Sequence, residues 1–298
     1  MEYIISFLES VILTKDNRLE EKKMGFLIDA KRLVFGIETK KTTYAFAIDN
    51  LGLVRHLYWG EKIDSLDDFD VPPLSEISSN DPILDLTDEE YPVYGGMRYK
   101  ENCLKVIFAD GTRDIEYKYD GYTQTDEELV IHLKDAHYDF AFNLHYKVYE
   151  ELDLIERFVS LENKMKESVT VEKIHSAQLH IPYQDLTLTS SHGHWLAEFQ
   201  EFKQPLGQGK IVLENRRGIS THNHNPFFIL DRQATETSGE VYYGILKLSG
   251  NFSTIIEPRP YGGTLVQMGI NPHDCLLTLN AGETFVAPAM LFGYTTEG

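Results

Sequence analysis

Basic residues are scarce in this chain: 28 Lys+Arg stand against 47 Asp+Glu, leaving a formal charge of −19 over 298 residues. A surface of that sign repels phosphate, which argues against nucleic acid or an anionic membrane as partner. Cysteine is also rare. Cys103 and Cys275 can build neither a disulfide framework nor a four-thiolate zinc site, and in apolar strand text they read as packing residues. No apolar run approaches the ~20 residues of a membrane-spanning helix. The longest near the start, Tyr3 to Leu13, is broken by Glu9 and preceded only by Glu2, where a secretory leader carries basic residues. These absences favour a cytoplasmic protein. Several catalytic signatures are missing too: there is no Gly-x-Ser-x-Gly elbow, no Gly-x-Gly-x-x-Gly and no Walker loop.

What is present is strand text. Leu129–Leu133, Phe140–Tyr149, Leu154–Leu161, Val169–Ile174, Val241–Leu248 and Phe252–Glu257 place apolar residues at alternate positions, many of them β-branched or aromatic. Turn pairs stand between such runs: Asp110-Gly111, Asp120-Gly121, Gly262-Gly263 and Ala281-Gly282. With no helical pattern between strands, the chain reads as all-β, a large antiparallel sandwich. Residues 1–23 differ in character, a short amphipathic stretch followed by charges, and read as an N-terminal extension to a domain spanning 24–298. The segment from Asp64 to Glu90 is long, acidic and Pro-containing, which marks a functional or mobile loop.

Chemistry-bearing residues cluster in two places. His192-Gly-His194 and His222-Asn-His224 would form a zinc or copper site if the two segments met and a further ligand converged; otherwise the imidazoles orient neighbours by hydrogen bonds. The acidic run Asp64 to Asp70 lacks the Gly and Glu of a calcium loop and reads as solvated. No metal and no cofactor is expected. Trp195 follows a Gly-containing turn, so its ring either stacks on the C–H face of a sugar or plugs the core; both readings stay open. Arg and Asn side chains in Glu214–Gly218 and Ser220–Phe227 offer donors for hydroxyls.

Eight ordered blocks carry a resemblance: His56-Leu-Tyr-Trp-Gly60, Glu90-Tyr-Pro-Val-Tyr-Gly95, Ala109-Asp-Gly111, His192-Gly-His-Trp195, Glu214-Asn-Arg-Arg-Gly-Ile-Ser220, His222-Asn-His-Asn-Pro-Phe227, Gly250-Asn-Phe252 and Gly269-Ile-Asn-Pro272. In these the chain resembles the N-terminal domain of glycoside hydrolase family 36, the bacterial α-galactosidases. The resemblance implies a β-supersandwich of the galactose-mutarotase-like type, followed in that family by a catalytic (β/α)₈ barrel. The barrel's two aspartates, one in a Lys-Trp-Asp segment, have no counterpart in these 298 residues, so the chain by itself is expected not to hydrolyse glycosides.

The resemblance further assigns Trp195 to the wall of a galactose pocket and Glu76 to a contact from the acidic loop, with a homo-oligomer in the full enzyme. Trp59 and Arg216 match family motifs and are expected in structural roles, sheet packing and a buried hydrogen-bonded charge, alongside His222 and His224. Galactose or an α-galactoside oligosaccharide is the implied ligand, bound weakly by this domain alone. Two alternatives remain. One is an aldose 1-epimerase, with His222, His224 and Glu198 as acid and base; the other is a free-standing sugar-binding module.

Overall fold

Alternation of apolar and polar side chains lets a strand bury one face and solvate the other, as Glu128–Asp135 and Phe227–Asp231 do, whereas Phe26–Asp29, Val34–Glu38 and Thr42–Ile48 are buried on both faces. The computed structural model describes residues 20–23, 25–71, 82–220 and 222–298. A meander comes first: β1 (Glu20–Lys23), β2 (Phe26–Asp29), β3 (Val34–Glu38), β4 (Thr42–Ile48) and β5 (Val54–Glu61) form a five-stranded sheet in sequence order. One helical turn, Ile83–Leu86, precedes β6 (Leu104–Ile107). Hairpins then join β7 (Tyr117–Gln124), β8 (Glu128–Asp135), β9 (Phe140–Tyr149) and β10 (Leu154–Asn163).

β11 (Val169–Ile181) is followed by the hairpin β12 (Thr187–His194) and β13 (Ala197–Pro205), then β14 (Ile211–Glu214) and the two-residue β15 (Asn223–His224). The chain continues through β16 (Phe227–Asp231), β17 (Val241–Leu246), β18 (Phe252–Pro258), β19 (Thr264–Ile270), β20 (Leu277–Leu279), β21 (Thr284–Val286) and β22 (Met290–Thr295). An eleven-stranded sheet runs β13-β12-β16-β17-β22-β10-β9-β8-β7, with β15 also paired to β12 and β21 to β10. A six-stranded sheet runs β14-β18-β19-β11-β20, with β6 also on β11. Every pairing between these strands is antiparallel, so the architecture is the large all-β sandwich that the alternation predicts.

Aromatic rings fill the space between sheets. Phe46 of β4 stacks on Tyr146 of β9 at 4.8 Å, and Trp59 of β5 meets Phe292 of β22 edge-on at 5.2 Å. Trp59 is buried and also contacts Tyr44 and Tyr242.

A buried ionic knot ties the layers. Arg157 of β10, fully enclosed, bonds the Glu90 carboxylate at 2.7 Å, the Glu90 carbonyl at 2.8 Å and the Gln178 carbonyl of β11 at 2.8 Å. Glu90 also accepts from Tyr44 and Tyr146 and faces His56 Nδ1 at 2.9 Å. Burial alone would raise its pKa, but Arg157 and then His56 hold it down at about 2. Its neighbour Glu89 is matched by Arg98, Lys100 and the Tyr117 hydroxyl.

Two details differ from the sequence reading. Asp120-Gly121 is not a turn between strands. It lies within β7, where the pairing register with β8 slips between Tyr119 and Gly121, and Gly121 takes φ +117°, a backbone state that suits glycine at a bulge. Within the acidic segment, residues 82–90 are ordered against the core, while Pro72 to Asp81, including Glu76, fall outside the described residues, as do Tyr3–Leu13. Among the described residues, no helix is long and apolar enough to cross a membrane.

Candidate functional site

The hairpin joining β12 to β13 projects an apolar tip. His194 pairs with Ala197, leaving Trp195 and Leu196 as the two-residue connection. Leu196 has φ +67° and Phe199 φ +58°, conformations that bulky L-residues seldom take and that mark strain held by the surroundings. Gly193 permits the tight entry: a Cβ there would stand 2.6 Å from the Ala197 carbonyl oxygen. Trp195 is 70% exposed, Leu196 77% and Phe199 66%, so the indole stands out of the core rather than plugging it. Phe199 stacks beside Phe227 at 6.3 Å, giving the tip an aromatic base. Grouped exposure of this kind, unlike scattered single residues, makes the tip a candidate binding surface.

A second loop lies beside the tip because β15 pairs with β12, Gly193 opposite Asn223 and His192 opposite His224. Buried Asn215 shapes this loop. Its side-chain amide donates to the carbonyls of Ile219 and His222, and its oxygen accepts from Arg217 N at 2.6 Å. Asn271 in turn donates to the Asn215 carbonyl at 3.1 Å, and Asn251 accepts from Gly218 N at 2.6 Å. Three separate segments thus hold the loop through amides, and none of this was legible beyond the recurrence of Asn itself. Ile219, on this second loop, is 59% exposed.

Arg216 corrects the sequence reading. Because Asn215 turns inward, Arg216 turns outward, where its guanidinium meets Glu214 at 2.6 Å and His273 at 3.2 Å. Buried arginines among the described residues are Arg157 and Arg98, each paired with an enclosed glutamate.

The two His-x-His segments do meet, His192 and His224 rings lying 6.4 Å apart. Yet among the described residues no three His, Cys, Asp or Glu side chains converge as metal ligands. Burial lowers the His224 pKa, and the His192 charge adds to that. His194 Nδ1 faces the Trp195 carbonyl at 2.8 Å, and Glu198 accepts from Leu196 N at 3.2 Å, so both serve the hairpin's own shape. Cys103 is buried and its thiol is pushed up to about 12 by that burial; Cys275 is partly exposed after Pro272.

The model for the glycosyl hydrolase family 36 N-terminal domain matches residues 52–280. The bifunctional alpha-galactosidase/sucrose kinase AgaSK of Mediterraneibacter gnavus is 29% identical over 92% of the chain, which spans 32% of that protein. Alpha-galactosidase AgaA of Geobacillus stearothermophilus is 30% identical over 89% of the chain, which spans 40% of it. The AgaA crystal structure superposes with a TM-score of 0.83, and variants of that enzyme have been crystallised with stachyose and with raffinose. The chain therefore corresponds to about two fifths, or less, of these relatives.

Proposed function

The chain belongs to glycoside hydrolase family 36 through the N-terminal domain that most of its length forms, and we propose that it walls one side of an α-galactoside pocket whose hydrolytic residues lie in a (β/α)₈ barrel. The observation that carries this reading is the strained hairpin that holds Trp195 clear of the core. An indole so placed stacks on a pyranose and excludes water from one face of the sugar, while a barrel supplies the two carboxylates that bond cleavage needs. This assignment is favoured over a stand-alone epimerase, since the family match covers the strands on both sides of the tip. Glu76 is proposed as a second contact to the sugar. A homo-oligomer of the full enzyme belongs to the same proposal, and scarce cysteine favours the cytoplasm.

The test compares Trp195→Ala with the parent in the complete enzyme, barrel included. We expect KM for raffinose to rise about tenfold, the loss of one stacking contact at about 1.4 kcal/mol. An unchanged KM and kcat would remove Trp195 from the pocket. The 298 residues alone are expected to leave nitrophenyl α-galactoside intact; turnover by them would defeat the proposal that the chemistry lies in a barrel.

A further inference from the structure

A cavity lined by both polar and aromatic side chains lies away from the hairpin tip. It encloses about 470 Å³, within the roughly 300–1,000 Å³ of small-molecule sites. β5 contributes His56, Tyr58 and Trp59, the end of β11 contributes His180, the turn between β18 and β19 contributes Arg259 and Tyr261, and Asp88 precedes the buried acid pair. The cavity adjoins Pro182, close to where β12 begins, whereas Trp195 lies past the other end of β12. Seven steps from Thr187 to His194 at about 3.3 Å each set the two places roughly 23 Å apart along that strand.

Three residues around the cavity each leave a buried polar atom without a hydrogen-bond partner: Trp59 Nε1, His180 Nδ1 and Arg259 Nε. Buried polar atoms are mostly paired, and the unpaired ones here gain weight from the ion pair and aromatic rings that line the same cavity. His180 shows what kind of group would pair with one. Its side chain is 7% exposed, its Nε2 lies 2.9 Å from the Glu89 carbonyl and 3.1 Å from the Gln178 amide, and its Nδ1 is left 3.8 Å from Asp88. Either tautomer of that ring is satisfied by a hydroxyl, which both donates and accepts. Burial, and then the stacked His56 ring, bring the His180 pKa down to about 3, so the ring is neutral at ordinary pH. Beside it, Asp88 and Arg259 form an ion pair that presents acceptors and donors side by side, the pattern that two vicinal hydroxyls match. Tyr58, Trp59 and Tyr261 provide aromatic lining for C–H faces.

We propose that this cavity binds a neutral polyhydroxy compound of monosaccharide size, held by Asp88, His180 and Arg259 against the aromatic lining. It is a site separate from the one at Trp195 and stands or falls independently of it.

The chain's two tryptophans make the test direct. In Trp195→Phe, Trp59 is the sole indole and lines the cavity. The 298-residue W195F chain is titrated with D-galactose, D-glucose and, separately, sodium acetate, with fluorescence as readout. The expected result is a saturable change with at least one sugar, weakened tenfold or more by Asp88→Asn or Arg259→Met in the same background. No saturable change with either sugar, a change only with acetate, or a sugar response that both substitutions leave intact would each overturn the proposal. Should both variants lose the native circular dichroism spectrum, the ring carbon–proton signals of His56 and His180 in W195F decide: sugar-dependent shifts support the site and unmoved signals reject it.

Discussion

At the scale of single residues, the heaviest constraint on this molecule is Arg157 against Glu90. Both are fully enclosed, and each satisfies groups on other strands. Removing one partner strands the other's charge in the interior, which costs about 3–5 kcal/mol. Glu90→Gln and Arg157→Met should each lower the urea-unfolding free energy by about that amount, and the double variant by clearly less than their sum. Additive losses would show that the two groups act separately. The pH dependence follows from the same contact. The folded pKa, about 2, lies below the ordinary 4.5, so the stabilisation is complete above about pH 4.5 and lost as pH falls toward 2. At about 1.36 kcal/mol per pKa unit this single group contributes about 3 kcal/mol to the acid limb. Glu90→Gln should flatten that limb between pH 4.5 and 2; an unchanged limb would assign acid sensitivity to other carboxylates.

At the scale of elements, legibility followed the range of the interaction. Strands such as Phe140–Tyr149 and Leu154–Asn163 were readable because alternation is local and period 2 survives in any context. Glu89 and Glu90 were not: two adjacent acids in an acidic segment look like a solvated loop, and Arg157 sits 67 residues downstream. The indole at Trp195 could be located in sequence but not oriented, since its exposure depends on the Leu196 backbone and on β15 lying beside β12. The same limit explains Arg216, whose outward turn is set by its neighbour Asn215. Glycine motifs can be told apart only in three dimensions. A Cβ on Gly269 would lie 2.3 Å from His175 Cα, where β19 crosses the irregularity in β11, whereas one on Gly250 meets only Leu248 at 3.6 Å. Gly269→Ala should therefore cost about 1–3 kcal/mol by overpacking, and Gly250→Ala should stay within about 0.5 kcal/mol. Equal effects in a denaturant titration would mean that β19 yields without penalty.

At the scale of the whole molecule, the order of strands makes the C-terminal strand central. β22 sits between β17 and β10, so it joins the β13-β12-β16-β17 half of the large sheet to the β10-β9-β8-β7 half. It also buries Met290, Phe292 and Tyr294, and Phe292 packs against Trp59 of the first sheet. Without it, β17 and the Leu154–Arg157 part of β10 would each expose an unpaired edge, and the aromatic contact between sheets would lose its middle. The pairing of residue 290 with residue 157 is also far apart in sequence, so the sheet cannot close until residue 290 is available. A chain ending at Ala289 should accordingly give no cooperative urea transition and should bind a hydrophobic dye, as a collapsed state with open edges does. Adding a peptide of residues 290–298 should restore the transition in proportion to its concentration. A sharp, two-state transition in the shortened chain alone would show that the two halves of the sheet hold together through other contacts, and that the last strand is an ornament on a fold already complete.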